Sequence, residues 1–508
     1  MAKYKHYDYA QAKMLPVRFE EQILPGTFES TLNRLIDERF NLEVFDAHYK
    51  NDDTGAPAYD PAILLKIILY AYARGVTSSR EIERLCRENV VFMALSADSR
   101  PHFTTIAAFI ARLGDPIVSV FRDVLLVCDE MGLIGREMFA IDGVKLPSNA
   151  SKEWSGTRAD FGKKIEKMER AVEHLVKRHR EADASGEETP LERARAKQID
   201  TLEAALTKVR GVLRCHEDKV GAGGRVKKSN ITDPESAKMK TSKGVIQGYT
   251  GVAVVDGKHQ IVVGAEAFGE GQEHGLLVPM LEHTREAFRE LGCAQDALRG
   301  VVLTADAGFH TDANMAYLER NGIDGYVADT LFRKRDPRFA TAERHKPPAA
   351  PDPDRLFRPE DFQFDPTTRT CICPAGKQLY SSGQHNRPNG YRALIFQGAK
   401  RDCGPCPLRH RCLRHPERTT TRQVVLFVGR VKSENASVRM KRKIDTEQGR
   451  YQYGRRLGTV EPVFANICSA HRLRRFTLRS KKKVNVQWLL YCMVHNIGKL
   501  RCFGNART

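Results

Sequence analysis

Residues 248–268, GYTGVAVVDGKHQIVVGAEAF, constrain this chain more than any other stretch. Two runs of β-branched and small apolar residues flank Asp256-Gly257. An Asp-Gly pair between such runs is the strongest short-range signal of an antiparallel hairpin. Its strands, Val252 to Val263, read as core. Strand character also begins at Phe139 and returns in VVLTADAGFH and IDGYVADT. A helix of about Leu276 to Leu291 separates the hairpin from these last two. The order is strand, helical insert, hairpin, helix, strand, strand, which predicts an α/β core.

Elsewhere the pattern is helical. Asp60 with Pro61 predicts a helix start and Gly75 its stop. Ser78 and Glu81 have capping-box spacing for a second helix. A third follows Thr104-Thr105, with Ile106, Phe109, Ile110 and Leu113 on one face. Consecutive short helices of this kind suit a helix-turn-helix-like DNA module and equally any small bundle. Ile165, Met168, Val172 and Leu175, then Ile199, Leu202, Leu206, Val209 and Leu213, step by three and four. They predict a helical hairpin over 160–215, turning at DASGEETP and followed by the basic loop GAGGRVKKSN. The proline-rich HKPPAAPDPDR reads as a linker. A chain of 508 residues is too long for one core. The expected divisions are 1–135, an N-terminal helical DNA-binding domain; 136–340, the first part of the α/β core with its insertion at about 155–228; 341–440, a Cys-rich insertion; and 441–508, the rest of the core.

A net charge of +19 points to a polyanionic partner, nucleic acid above all. The longest apolar stretch, AILLKIILYAYARG, holds Lys66 and is too short to span a bilayer. MAKYKHYDYAQAK lacks the apolar segment of a signal peptide. A cytoplasmic, nucleoid-associated protein without a membrane partner is expected. Twelve cysteines in that setting argue for metal ligation or core packing rather than disulfides.

Two acids close apolar runs. Asp142, in FAIDGVKLPSNAS, and Asp306, in LTADAGFH, are each followed within two residues by glycine. Glu461 lies in RRLGTVEPVFANI, where Thr459 is read as a helix cap and Pro462 as a first-turn residue. Two strand-end aspartates and a helical glutamate suit a pair of Mg²⁺ ions about 4 Å apart, as in phosphoryl-transfer nucleases. Lys145 and the run HRLRRFTLRSKKK, with His471, Arg472, Arg474, Lys481 and Lys482, are candidate phosphate contacts; the alternative is solvated surface. Cys373, Cys403, Cys406 and Cys412, in CPAGK and CGPCPLRHRC, have the makings of a structural Cys₄ zinc site. Cys371 competes with Cys373, and His410 or His415 with Cys412. Trp154 is assigned to packing over base stacking. Cys86, Cys128, Cys215, Cys293, Cys492 and Cys502 are isolated and read as packing residues.

The chain resembles the DDE transposases of bacterial insertion sequences over most of its length. YDPAILLKIILYAYARGVTSSREIERLCREN is similar to their N-terminal helical domain. FAIDGVKLPSNAS resembles the first-Asp strand. NITDPESAKMKTSKGVIQGYTGVAVVD and LTADAGFHTDAN resemble the blocks that follow, the latter with the second Asp. YGRRLGTVEPVFANI resembles the Tyr-Arg-Glu signature. The CPAGK segment has the family's CPxGK form. The resemblance implies an RNase H-like mixed sheet flanked by helices, with Asp142, Asp306 and Glu461 as the Mg²⁺ (or Mn²⁺) triad. It implies that Tyr453 and Arg456 support the Glu helix and contact the DNA backbone. It further implies binding of terminal inverted repeats and target DNA, cleavage and strand transfer, and a homodimer in the synaptic complex. One position departs: the lysine usual seven residues after the Glu is Cys468, with His471 and Arg472 the nearest cations. The competing expectation is a DNA-binding zinc protein derived from a transposase but without catalysis; a nuclease that cuts but never joins is a further rival.

Overall fold

The ribbon expected about Asp256 forms the spine of a mixed sheet. The computed structural model describes residues 17–49, 57–183, 190–220, 226–293, 295–339, 355–386, 391–430 and 435–504. The N-terminal segment, the DASGEETP turn, the glycines of GAGGR and most of the proline-rich linker lie outside them. The chain divides into two compact units, residues 1–330 with 446–508, and residues 331–445.

In the first unit the sheet strands are β1 (Met138–Pro147), β2 (Ala237–Thr241), β3 (Gly244–Asp256), β4 (Val262–Phe268), β5 (Val302–Ala305) and β6 (Asp324–Val327). Among the described residues they run β6-β5-β1-β3-β2, with β4 also on β3. β1 is antiparallel to β3, Phe139 opposite Asp256 and Pro147 opposite Gly248. It is parallel to β5, and β5 to β6. The hairpin loop is longer than a two-residue turn, since β4 begins at Val262. The buried Asp256 carboxylate instead accepts from Gly135 N and Arg136 N at 3.0 Å and from Lys258 N at 2.8 Å.

Helices α1 (Phe28–Glu38), α2 (Pro61–Ala73), α3 (Ser79–Glu88), α4 (Val90–Leu95), α5 (Phe103–Arg112) and α6 (Pro116–Glu130) precede the sheet. Asp60 caps α2 by accepting from Ala62 N at 2.7 Å. The capping box expected at α3 does not form: Ser78 makes no side-chain cap, and Glu81 turns to Arg84, whose charge competes better for a carboxylate. The insertion is a pair, α7 (Arg158–Asp183) and α8 (Pro190–Cys215), around Phe161, Met168, Leu206, Val209 and Ile231. Trp154 packs on this cluster, with Lys164 Nζ 3.8 Å from its ring centroid. Then come α9 (Leu277–Glu290) and α10 (Asp312–Arg320). No single helix among the described residues is long and apolar enough to cross a membrane.

The second unit carries a five-stranded antiparallel sheet in chain order: β7 (Gln363–Asp365), β8 (Thr370–Ile372), β9 (Gln378–Asn386), β10 (Tyr391–Gln397) and β11 (Gln423–Arg430). Phe362, Cys371, Leu379, Leu394, Phe396 and Val424 fill its small core. Helix α11 (Ala436–Asp445) ends this unit, held by a two-pronged Arg335–Asp445 pair.

Two last helices, α12 (Glu447–Ala465) and α13 (Lys481–Phe503), complete the first unit. The stretch 471–480 between them is irregular, not helical. Helix α13 is buried nearly all round because it covers the edge of β4. Asn485 Oδ1 accepts from Ala267 N, and Asn496 bonds both the N–H and the C=O of Val262, all at 2.9 Å. These asparagines stand eleven residues apart, three turns, and so share a face. They give an otherwise unpaired strand edge the partners it needs.

Candidate active site

The parallel register of β1 and β5 pairs Ile141 with Ala305. The next residue on each strand is an acid, so Asp142 and Asp306 emerge side by side. Contrary to the expectation from sequence, Asp142 does not end its strand. β1 runs on to Pro147 because β3 keeps pairing with it; only the β5 side stops at Ile141. The carboxylate therefore stands where β1 loses one neighbour and keeps the other.

Asp142 Oδ1 accepts from Gly143 N at 2.8 Å, and Oδ2 accepts from Arg456 Nη1 at 2.5 Å. Burial pushes the Asp142 carboxyl above its ordinary value; Arg456 pulls it down and Asp306 pushes it up again. Asp306 caps the short turn Ala307–Phe309, accepting from Gly308 N at 2.7 Å.

A third carboxylate, absent from the sequence reading, joins this pair. Glu273 lies in the loop GEGQEHG between β4 and α9 and is 9% exposed. Burial raises its carboxyl, and Asp306 raises it further against the pull of Lys145. Lys145 Nζ is 3.3 Å from Glu273 Oε1. The only sequence signal was an acid in a glycine-rich loop leaving a strand.

Arg456, on α12, is 7% exposed, and its guanidinium lies 5.7 Å from the Tyr453 ring centroid. Glu461 is exposed. Five residues after Arg456, it is turned about 140° round the helix from it, and the charges that act on Asp142 are those of Arg456, Asp306 and, through its own shift, Glu273. Nor do Thr459 and Pro462 open a helix. α12 starts at Thr446, whose Oγ1 accepts from Gly449 N at 3.0 Å, and Pro462 sits inside it. Proline leaves the carbonyl four residues back without its helical donor. That carbonyl, Gly458 O, receives Gln260 Nε2 at 3.0 Å instead.

The candidate phosphate contacts fall in different surroundings. His471 donates from Nδ1 to Ala73 O at 2.9 Å and is partly buried; burial lowers its pKa. Arg472 and Arg474 are exposed. Lys481 pairs with Glu266 at 2.8 Å and Lys482 with Asp115 at 3.2 Å. Arg475 and Arg479 bond Asn149, in the loop that follows β1, and so fasten the basic stretch beside the strand of Asp142. Cys468 is partly buried, and burial pushes its thiol up to about 11. It is packed near Tyr491 and Cys492.

In the second unit Cys373, Cys403, Cys406 and Cys412 line one cavity. Burial raises the Cys412 thiol, and Cys403, Cys373 and Cys406 raise it too. The CPAGK turn folds back through Gly376 N to Cys373 O, while Lys377 N donates to Cys373 Sγ at 3.4 Å. Gly376, at φ +74°, supplies the left-handed residue of the turn. Arg409 donates to four carbonyls, of Cys403, Pro416, Thr419 and Thr420, at 2.8 to 3.1 Å. Cys371 faces the core between Phe364 and Leu379, away from that role. His410 and His415 are exposed and do not line the cavity.

Among the described residues no group of three or more His, Cys, Asp or Glu side chains is drawn together as a metal cage. In the acidic pocket two internal cations, Arg456 and Lys145, hold the carboxylates. The donor chemistry fits a hard cation nonetheless: oxygen ligands from Asp142, Asp306 and Glu273, burdened by their mutual repulsion. The four thiols likewise fit zinc.

Residues 372–501 match the family of the Transposase DDE domain, and residues 17–112 match that of a transposase domain (DUF772). The first spans the cysteine cavity, α12 and α13; the second spans α1 to α5. Asp142 and Asp306 lie between the two matches. No curated protein matches the chain.

Proposed function

We propose that the chain is a DDE transposase of the insertion-sequence kind, and that the pocket where β1 and β5 part is its catalytic centre. The observation that carries this is the Ile141–Ala305 register, which sets Asp142 beside Asp306. Bound Mg²⁺ or Mn²⁺ supplies a Lewis acid that activates a water and stabilises the departing oxygen. Asp142 and Asp306 would hold it, with Glu461 of α12 as the third member of the triad. Arg456 favours the charged form of Asp142 against the effect of burial and aims it, and with Tyr453 it faces the DNA backbone. Water attacks phosphorus at an element end, the P–O3′ bond breaks, and a 3′-hydroxyl is freed. That hydroxyl then attacks a target phosphodiester, forming one P–O bond as another breaks.

An antiparallel ribbon followed by two parallel strands, with the acids on adjacent central strands, supports an RNase H-like core. A net charge of +19 supports grip on the terminal repeats and target DNA. Lys145, Arg472, Arg474, Lys481 and Lys482 remain the residues proposed for that grip, with the N-terminal helices; His471, whose two ring nitrogens are engaged within the fold, is not among them. Zinc on Cys373, Cys403, Cys406 and Cys412 is proposed as structural. The protein acts as a dimer on paired ends, in the cytoplasm at the nucleoid.

The test is Mg²⁺-dependent nicking of duplexes carrying the element's ends. Asp142→Asn and Asp306→Asn are expected to lower the rate at least a thousandfold while duplex binding persists. Undiminished nicking by either variant sinks the reading. Pre-cut ends then separate a transposase, which joins them to target, from a nuclease, which does not. One observation favours a second reading, a DNA-binding zinc protein without catalysis: Glu461 is exposed and turned from Arg456. Binding with no metal-dependent cleavage by the unaltered protein selects it.

A further inference from the structure

We propose that Glu273 is a further metal-ligating carboxylate of the catalytic pocket, acting together with Asp306. The proposal rests on the reading of Asp142 and Asp306 as the metal-holding pair.

Three observations converge on it. The first is position. A Cβ built on Gly308 would overlap Glu273 Oε2 and would come within 2.9 Å of Asp306 Oδ1. Both oxygens therefore crowd one small volume, and glycine at 308 is what leaves it open. A Cβ on Gly143, next to Asp142, would lie 3.3 Å from Glu273 Oε1. Glu273 thus touches the residue that follows one aspartate and the second residue after the other.

The second is restraint. Leu276 N donates to Glu273 O at 2.9 Å at the entrance to α9, so the backbone beneath the side chain is fixed. The side chain is 10% exposed, with Lys145 Nζ as its ion-pair partner. A carboxylate this buried is not a solvated surface acid.

The third is charge balance. Asp142, Asp306 and Glu273 share one pocket with Arg456 and Lys145. The Arg456 side chain is 9% exposed, and its Nε has no hydrogen-bond partner among the described residues. Three acids against two bases leave net negative charge at a buried place, which a divalent cation offsets. Lys145 is then a positioning residue: it holds Glu273 beside the aspartates until the cation takes over its charge.

The experiment uses the full chain and Mn²⁺ alone as probe, with free Mn²⁺ followed by electron paramagnetic resonance. Glu273→Gln keeps the shape and removes the charge. It is expected to weaken Mn²⁺ binding at least tenfold. Gly308→Ala leaves every carboxylate present but crowds Glu273 away, and is expected to weaken binding similarly. Circular dichroism and a thermal melt identify a variant that does not fold; in that case the other variant decides. Mn²⁺ binding by folded Glu273→Gln equal to that of the unaltered protein overturns the inference. Asp142→Asn separates the two claims. If it abolishes nicking while Glu273→Gln binds Mn²⁺ normally, only the role of Glu273 falls. If Asp142→Asn nicks normally, the reading of the pocket falls and this inference with it.

Discussion

At the scale of single residues, the Asp142–Arg456 pair shows what a sequence hides. Asp142 is visible as a lone acid in an apolar run, and Asp306 as a second. Their partner is 314 residues away in sequence, so no local pattern announces it. Glu273 was invisible for the same reason: an acid in a glycine-rich loop acquires meaning only when the fold sets that loop over two strand positions. The pair makes a sharp prediction. Removing one member of a buried ion pair leaves the other charge uncompensated, at a cost of about 3–5 kcal/mol. Arg456→Gln is therefore expected to lower stability by that order in urea unfolding with metal chelated. Because Asp142→Asn removes the orphaned charge, the double variant loses less than the sum of the two singles. An Arg456→Gln protein as stable as the unaltered one contradicts the pair's role.

At the scale of elements, the strands and the helical hairpin were legible because each carries its own periodicity. Ile165, Met168 and Leu206 repeat at helical spacing whatever surrounds them. The start of helix α12 is hidden in the sequence because Thr459 and Pro462 mimic a helix start. The true start, Thr446, lies thirteen residues earlier, and the donor that makes interior Pro462 tolerable comes from Gln260 on the hairpin loop. The four cysteines that the sequence spaces like ligands line one cavity, and the five-stranded sheet around it has a core of few apolar side chains. Such an element would depend on the proposed zinc staple. Zinc removal by a strong chelator, or Cys403→Ser, is expected to open residues 355–430 to limited proteolysis. Metal analysis of the purified protein should find about one zinc per chain. Unchanged protease resistance in the chelated protein, with no zinc by analysis, removes the proposed site.

At the scale of the whole first unit, remote parts of the chain meet in a run of neutral hydrogen bonds. His471 donates from Nδ1 to Ala73 O, at the end of α2. A carbonyl only accepts, so Nε2 of this neutral ring is an acceptor, and Asn466 Nδ2 donates to it at 3.1 Å. The same amide nitrogen donates to His495 Nδ1 at 2.9 Å, and His495 Nε2 donates to Gln260 O at 2.9 Å. Every ring nitrogen has one role, and the assignment closes only if both imidazoles are neutral. Nothing in the sequence near His471 or His495 forecasts this; His471 reads as a cation beside arginines. Burial, joined by the Lys499 charge, pushes His495 down to about 4, although the Gln260 carbonyl favours its charge. An unfolded chain takes up this proton near the ordinary histidine value, while the folded chain resists until about 4. The stability contributed is complete above that ordinary value and is lost as pH falls towards 4, a change on the order of 3 kcal/mol. His471 and His283, also lowered by burial, add to the same trend. The melting temperature should therefore fall steeply between about pH 6.5 and pH 4. His495→Gln can still donate to Gln260 O and accept from Asn466, yet it cannot take a proton. It should start from a lower melting temperature at neutral pH and follow a shallower slope on acidification. If that variant loses stability as steeply as the unaltered protein, the acid sensitivity arises elsewhere and the neutral chain is not what joins α2 to the C-terminal helices.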